Sequence, residues 1–180
     1  MKKYIFTDTD YDGRGEEEHD ITGEDYKELI RTCAKYCDSF AFVSVCNNPC
    51  PQIPLDIQKY ALDIDTSIKE RFGFGYIQFY LSLTETTDYG WIFHFKVCPE
   101  TIDWLLSVSS DIYNWYFSDP KNSYPENLTF YRKDGSAFFG ALTHEGYCEL
   151  TVREDEDVSH IISKDHWLYR EPGMMWYKEL

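Results

Sequence analysis

Three aspartates at alternate positions near the start of the sequence have the spacing best suited to chemistry. Asp8, Asp10 and Asp12 are followed by Gly13, directly after an apolar segment typical of a short strand. Carboxylate oxygens are the ligands that Mg²⁺ and Ca²⁺ prefer, and a glycine permits a sharp turn. The favoured interpretation is an acidic surface loop without metal, and we expect no cofactor. The alternative is a loop that binds Mg²⁺ or Ca²⁺ through Asp8, Asp10 and Asp12.

The same motif can be compared with known metal loops. Counted from Asp8 it matches positions one, three, five and six of an EF-hand, but position twelve is His19 and a strand precedes it, which argues against an EF-hand. The motif also resembles the strand-terminal Asp-x-Asp-x-Asp-Gly of TOPRIM domains and, more weakly, the Asp-x-Asp of haloacid-dehalogenase phosphatases. That resemblance implies a divalent-metal-dependent phosphotransfer or nuclease enzyme that uses Asp8, Asp10 and Asp12.

Acidic side chains dominate the charge of the whole chain. The sequence has 32 Asp and Glu against 17 Lys and Arg, a formal net charge of −15. Such a charge repels nucleic acid and anionic membranes at long range and attracts basic proteins. The composition therefore argues against direct nucleic-acid binding and favours a basic protein as partner.

The acid is concentrated in two segments. Residues 8–28 contain ten carboxylates and residues 145–157 contain six. Side chains on one face of a strand recur about every 6.6 Å, close to the spacing of every second phosphate along a DNA strand. The carboxylates of these segments could therefore mimic the charge pattern of nucleic acid. The alternative is a solvated acidic surface that keeps the chain soluble. The residues predicted to contact a basic partner are Asp8, Asp10, Asp12, Glu16, Glu17, Glu18, Glu154, Asp155, Glu156 and Asp157.

Cysteines and histidines offer weaker signals. Cys33 and Cys37, followed by Cys46 and Cys50, have a superficial zinc-site rhythm. Cys33 and Cys37, however, are four apart on the inward face of a predicted helix, which favours buried thiols over zinc ligands. The five histidines fall in no local nucleophile motif, and no glycine-rich phosphate loop is present.

The sequence also indicates a compartment. Aspartates follow the N-terminal lysines almost at once, so there is no apolar signal-peptide core, and no apolar run approaches the roughly 20 residues that span a bilayer. We expect a cytoplasmic protein with reduced thiols and no membrane partner.

Hydrophobic periodicity predicts the first elements. A strand is expected at 3–7, and a helix from Thr22 as N-cap with Glu24 and Asp25 in its first turn. A second strand is expected at 39–46. A further segment, 57–64, has helical spacing but remains ambiguous between helix and other structure. The residues expected to face the core from the first helix are Tyr26, Leu29, Ile30, Cys33 and Cys37.

The remaining elements are mostly hairpins. Segments 75–83 and 90–97 predict a hairpin, and Pro99 opens a long helix whose apolar face extends to Tyr116. Segments 128–133 and 136–143 predict a second hairpin through Asp134-Gly135, a dipeptide suited to a type I′ turn, and 147–152 a third strand. These elements predict one domain, 1–180, of the α+β class: an antiparallel sheet built from consecutive hairpins and packed by two or three helices.

One block of the sequence resembles known proteins. Residues 124–147, YPENLTFYRKDGSAFFGALTHEGY, resemble a block in small uncharacterised cytosolic proteins of gut Firmicutes and their mobile elements. The resemblance implies a bacterial or phage setting, in which small acidic proteins are often anti-CRISPR or nuclease immunity proteins. The leading hypothesis is therefore a stoichiometric inhibitor of a basic nucleic-acid enzyme, such as a CRISPR effector or nuclease. A metal-dependent enzyme is the alternative, and an interaction module without inhibitory role a third.

Overall fold

The α+β class is confirmed by the computed structural model, which describes residues 1–7, 20–44, 53–65, 91–115, 126–143, 146–164 and 166–170. These residues form one eight-stranded antiparallel sheet and four helices. The strands are β1 Lys2–Thr7, β2 Ser39–Ser44, β3 Ala61–Asp65, β4 Trp91–Lys96, β5 Glu126–Tyr131, β6 Ala137–Leu142, β7 Tyr147–Val152 and β8 Leu168–Arg170. The helices are α1 Gly23–Tyr36, α2 Leu55–Gln58, α3 Pro99–Val108 and α4 Ser159–Ile162.

The order of strands in the sheet is β3-β4-β2-β5-β6-β7-β1-β8. Strands β5, β6 and β7 form the predicted meander of consecutive hairpins, and the chain's first strand then joins the outer edge of β7. Strand β4 has β2 on one side and β3 on the other, so both of its edges are occupied. Its predicted hairpin partner, 75–83, lies outside the described residues.

Helix α1 forms where the sequence predicts it. Thr22 occupies the N-cap position in an extended conformation, although its side chain makes no capping hydrogen bond, and Glu24 and Asp25 lie in the first turn. The five residues predicted to face inward are all buried: Tyr26, Leu29, Ile30, Cys33 and Cys37. The helix packs against α3, where the Tyr26 hydroxyl donates to the Leu105 carbonyl at 3.2 Å.

The long helix expected from Pro99 is shorter than predicted and ends at Val108. Beyond it, the Ser109 hydroxyl donates to the Asp111 carbonyl at 2.7 Å and accepts from the Asp111 backbone N–H at 3.1 Å. The Asp111 carboxylate then accepts from the Tyr113 N–H at 2.6 Å. These local bonds replace helical ones, as Ser and Asp side chains commonly do. The helical spacing of apolar residues continues past Val108 in the sequence because Ile112, although it lies beyond the helix, is also buried in the core.

The β5–β6 turn differs from the predicted type I′ turn. The Gly135 N–H donates to the Arg132 carbonyl at 2.9 Å, and the Arg132 N–H donates to the Ser136 carbonyl at 2.9 Å. Gly135 has a φ of +82°, whereas Asp134 is not in the left-handed region that type I′ requires of it. The turn is therefore the three-residue kind, in which the glycine alone occupies the left-handed position.

The core lies between the sheet and helices α1 and α3. Phe95, Phe40 and Phe130 are partners across three neighbouring strands, and the ring of Phe40 lies 5.5 and 5.4 Å from the other two. Every residue of β5, β6 and β7 is buried, so these strands are covered on both faces. The ambiguous segment at 57–64 resolves into the short helix α2 followed by β3. None of the described helices is long and apolar enough to cross a bilayer.

Candidate functional site

A cavity of about 420 Å³ lies between the end of β1, the start of α1 and the residues that follow α4. We call it the β1–α1 cavity. Its apolar lining consists of four buried residues: Phe6, Ile21, Leu29 and Ile161. Its polar and aromatic lining consists of Asp20, Asp25, Ser163, Lys164, His166 and Trp167. The size and the mixed lining are those of a small ligand-binding pocket.

Backbone hydrogen bonds fix the position of the cavity's α1 side. The Gly23 N–H donates to the Ser110 carbonyl at 2.7 Å, and the Ile112 N–H donates to the Ile21 carbonyl at 3.2 Å. A β-bridge between Thr22 and Asp111 joins the same two segments. The start of α1 is therefore held by the segment that follows α3, and residues 20–25 are placed by tertiary contacts as well as by the helix.

The opposite wall is attached to α1 through side chains. The Thr32 hydroxyl and His160 Nε2 are 2.9 Å apart, which joins α4 to the middle of α1. Lys164 forms ion pairs with Asp25 and with Glu28, the latter at 2.5 Å. Hydrogen bonds to Asp25 and Glu28 raise the pKa of Lys164. All three side chains are more than a third exposed, so these ion pairs contribute little to the stability of the fold. They hold the segment after α4 next to the start of α1.

Aromatic rings and an unusual backbone angle mark the third wall. His166 has a φ of +78°, a conformation that non-glycine residues rarely adopt. The ring centroids of His166 and Phe6 are 6.3 Å apart in a T-shaped arrangement, and those of Trp167 and Phe6 are 5.5 Å apart. Backbone strain of this kind concentrates at binding and catalytic sites, so its occurrence in the lining is consistent with a functional cavity.

The first acidic segment begins and ends at this cavity. Phe6 and Asp20 both line it, and residues 8–19 connect Thr7 to Asp20. The predicted partner-binding and metal residues of this segment lie outside the described residues: Asp8, Asp10, Asp12, Glu16, Glu17 and Glu18. Within the described ranges, no group of three His, Cys, Asp or Glu side chains could hold a metal ion. The Asp8, Asp10 and Asp12 metal site therefore stays a prediction.

The second acidic segment is divided between surface and interior. Glu154, Asp155 and Asp157 are exposed, as a partner-binding surface requires. Asp157 also accepts hydrogen bonds from the Ser159 N–H and hydroxyl, which lower the pKa of its carboxyl group. Glu156 and Glu149, in contrast, are held in ion pairs within the fold, so their charges are already matched by cations of the same chain.

Glu156 forms a bidentate ion pair with Arg132. Arg132 Nε and Nη2 lie 2.5 and 2.6 Å from its two carboxylate oxygens, and the side chains are only 4% and 6% exposed. Burial pushes the pKa of Glu156 upward, but the bonds from Arg132 and from the Arg153 N–H outweigh it and hold the pKa below its usual range. Although Glu156 was predicted to contact a partner, its carboxylate joins the 153–156 turn to the β5–β6 hairpin.

Among the described carboxylates of the segment, Glu149 is the most buried, at 2% exposure. It accepts from Lys3 at 2.6 Å, Arg170 at 3.1 Å and the Tyr147 hydroxyl at 3.1 Å. The Thr151 hydroxyl is a fourth donor at 3.2 Å. In the sequence, Glu149 was one of the six carboxylates of the 145–157 segment, and none of Lys3, Arg132 and Arg170 was predicted to pair with this segment. The one local signal for Glu149 was the polar alternation Tyr147, Glu149, Thr151 along a strand.

The first acidic segment and the Glu154–Asp157 part of the second follow opposite ends of one ladder. In the antiparallel pairing of β1 with β7, Thr7 lies opposite Tyr147 and Lys2 lies opposite Val152. The first segment follows Thr7, and the Glu154–Asp157 turn follows Val152. Five residue steps separate these ends, a distance of about 17 Å. The described flanks therefore place the Glu154–Asp157 turn and the start of the first segment at different ends of the sheet.

Comparison with known protein families, characterised proteins and solved structures gave no match to this chain.

Proposed function

We propose that this chain binds a basic protein through the acidic surface at the β1–α1 end of the fold, and that it acts as a stoichiometric inhibitor of a basic nucleic-acid enzyme. The CRISPR effectors and nucleases suggested by the setting of the 124–147 resemblance are the candidate partners. The Glu154–Asp157 turn lies at the other end of the β1–β7 ladder and contributes long-range attraction to the same partner.

One observation carries this proposal: the acid-rich segment 8–28 begins and ends around the β1–α1 cavity. Its described part contributes Asp20 and Asp25 to the lining and Glu28 to the ion pair with Lys164. Six further carboxylates stand between Thr7 and Asp20 in the sequence, against Arg14 alone. A cavity next to dense negative charge combines a place for an anchoring side chain with electrostatic attraction of a basic surface.

The second segment supplies less charge to a partner than its composition suggests. Glu149 and Glu156 are neutralised by Lys3, Arg170 and Arg132. Asp134 at the same end of the sheet forms an ion pair with Arg153. We therefore propose the β1–α1 end as the partner surface, because residues 8–20 contain seven carboxylates against Arg14 alone in the sequence.

Two matched double variants test this assignment. Glu16→Gln with Glu17→Gln and Glu154→Gln with Asp155→Asn each remove two negative charges, so they change the net charge equally. They differ only in the acidic segment that they neutralise. Both are measured for binding and inhibition against a panel of purified basic nucleases and CRISPR effectors, at 50 and 200 mM salt.

We expect the parent chain to bind at least one enzyme of the panel at a one-to-one ratio and to inhibit it. The Glu16/Glu17 variant should weaken that binding by about tenfold or more, and the Glu154/Asp155 variant by about twofold, because close charge pairs matter more than steering charges at the rim. An equal loss in both variants would show that only net charge matters. Absence of any complex at low salt would refute the inhibitor proposal.

A further inference from the structure

We infer that the β1–α1 cavity receives an arginine side chain, together with an adjacent apolar side chain, from the basic partner. The inference rests on the proposed function and names the anchor through which it would operate. Three properties of the described residues support it: the shape and apolar lining of the cavity, the sign of the charge around it, and the aromatic ring in its wall.

The lining matches the chemistry of an arginine and its neighbour. Phe6, Ile21, Leu29 and Ile161 are each at most 4% exposed and form the apolar part of the wall. The aliphatic stem of arginine packs on apolar surface while its guanidinium group stays at the polar rim. A volume of about 420 Å³ accommodates more than one side chain, which is why an apolar neighbour accompanies the arginine.

The charge around the cavity selects a cation. Asp20 and Asp25 line it. Asp25 and Glu28 share the single ammonium group of Lys164, so these three side chains carry a net negative formal charge. The start of a helix favours anions, but Glu24 and Asp25 already occupy the first turn of α1. This arrangement opposes a phosphate or carboxylate ligand.

The choice of arginine over lysine follows from Trp167 and Asp25. The indole of Trp167 is half-buried in the cavity wall, and a planar guanidinium group stacks on such a ring while donating to a carboxylate. An ammonium group is more strongly hydrated and cannot form the bidentate bond. Arginine is also among the residues that most often dominate the binding energy of an interface.

A dipeptide probe tests the anchor without the partner. Acetyl-Arg-Leu-amide carries the guanidinium group and an apolar neighbour, and the matched probe with citrulline keeps the shape but removes the charge. Binding is followed on the indole N–H signal of Trp167 by NMR, with the signal assigned from Trp167→Phe. We expect a Kd of about 1 mM or below for the arginine probe, and at least about fivefold weaker binding of the citrulline probe.

Neighbouring helix positions supply the matched variants. Asp25→Asn removes a carboxylate from the lining, whereas Glu24→Gln removes one that pairs with Lys27 and lies outside the lining. Asp25→Asn should weaken binding of the arginine probe by about tenfold, because it removes a charged hydrogen-bond acceptor. Glu24→Gln should weaken it by about twofold or less. Lys164 keeps its bond to Glu28 in both. Ser163→Trp, at an exposed position of the lining, should block the probe by filling the cavity.

The outcomes separate this inference from the function on which it rests. Equal binding of the arginine and citrulline probes, or equal effects of Asp25→Asn and Glu24→Gln, would overturn the arginine anchor. If a basic enzyme is bound and inhibited but Asp25→Asn and Ser163→Trp leave its affinity unchanged, the anchor is wrong and the inhibitor function stands. If the probe binds as expected and no basic enzyme does, the cavity is an arginine site and the inhibitor function is wrong.

Discussion

Glu154 and Glu156 are two residues apart, yet only Glu154 keeps its carboxylate at the surface. The difference comes from Arg132, whose guanidinium group is 5.1 Å from the Phe138 ring and also donates to the backbone carbonyls of Ala137 and Thr151. With Glu156 in place, most of the donors of this buried cation are satisfied. Removing one member of such a pair leaves the other charge buried without compensation.

We predict that Arg132→Met destabilises the fold strongly. Glu156 would remain buried without its counter-ion, at a cost of about 3–5 kcal/mol in the free energy of unfolding, measured by urea denaturation. The double variant Arg132→Met with Glu156→Leu should recover much of this loss, because it removes both charges together.

The control is Arg153→Met, which breaks an ion pair with Asp134 whose side chains are 38% and 55% exposed. An exposed pair of this kind contributes about 0–1 kcal/mol. A loss in Arg132→Met as small as that in Arg153→Met would contradict the structural role of the buried pair.

At the scale of elements, the β5–β6 hairpin depends on one backbone conformation. Gly135, the last residue of the three-residue turn, has a φ of +82°, and a Cβ added there would meet no atom within 4 Å. Any cost of a side chain at this position is therefore conformational, not a matter of space. The hairpin also presents Arg132 to Glu156, so its turn geometry and the buried ion pair are parts of one local structure.

We predict that Gly135→Ala lowers the free energy of unfolding by about 1–2 kcal/mol, the cost of the left-handed conformation for a residue with a Cβ. Gly135→Asn should cost less, because asparagine tolerates this region better. Equal stability of the glycine, alanine and asparagine forms in urea denaturation would show that the left-handed turn is not formed in solution.

At the scale of the whole molecule, negative charge is distributed over both ends of the sheet. The β1–β7 ladder separates the flank of the first acidic segment from the Glu154–Asp157 turn by about 17 Å, longer than the Debye length of about 10 Å at 0.1 M salt. The two ends therefore interact weakly with each other at that salt concentration, while a net charge of −15 still favours expansion of the chain as a whole.

We predict that raising NaCl from 0.1 to 1 M increases Tm, because the Debye length falls to about 3 Å and self-repulsion is screened. If screening raises the free energy of unfolding by roughly 1 kcal/mol, Tm should increase by about 2–4 °C for a chain of this size, measured by thermal denaturation. The Glu154→Gln with Asp155→Asn variant should gain less from salt, since it starts with less repulsion. A Tm that falls with salt would mean that attractive ion pairs outweigh the net repulsion.

Local patterns were sufficient where neighbours in the sequence decide the structure. The inward face of α1, the strand at 147–152 and the α+β class were all predicted, because apolar periodicity reports directly which side of an element is buried. The end of α3 was not predicted. The apolar spacing of the sequence continues beyond Val108, but side-chain hydrogen bonds of Ser109 and Asp111 replace the helical ones there.

The candidate site could be predicted only in part. The sequence alone determined that acid is concentrated in two segments and that a strand and a helix flank the first of them. Only the tertiary structure decided that residues from β1, α1, α4 and the segment after α4 line one cavity, and that the Glu154–Asp157 turn and the start of the first acidic segment follow opposite ends of the β1–β7 ladder. The same holds for Glu149 and Glu156, whose partners Lys3 and Arg132 are 146 and 24 residues away. Composition counts charges, but burial and pairing depend on contacts between residues distant in the chain.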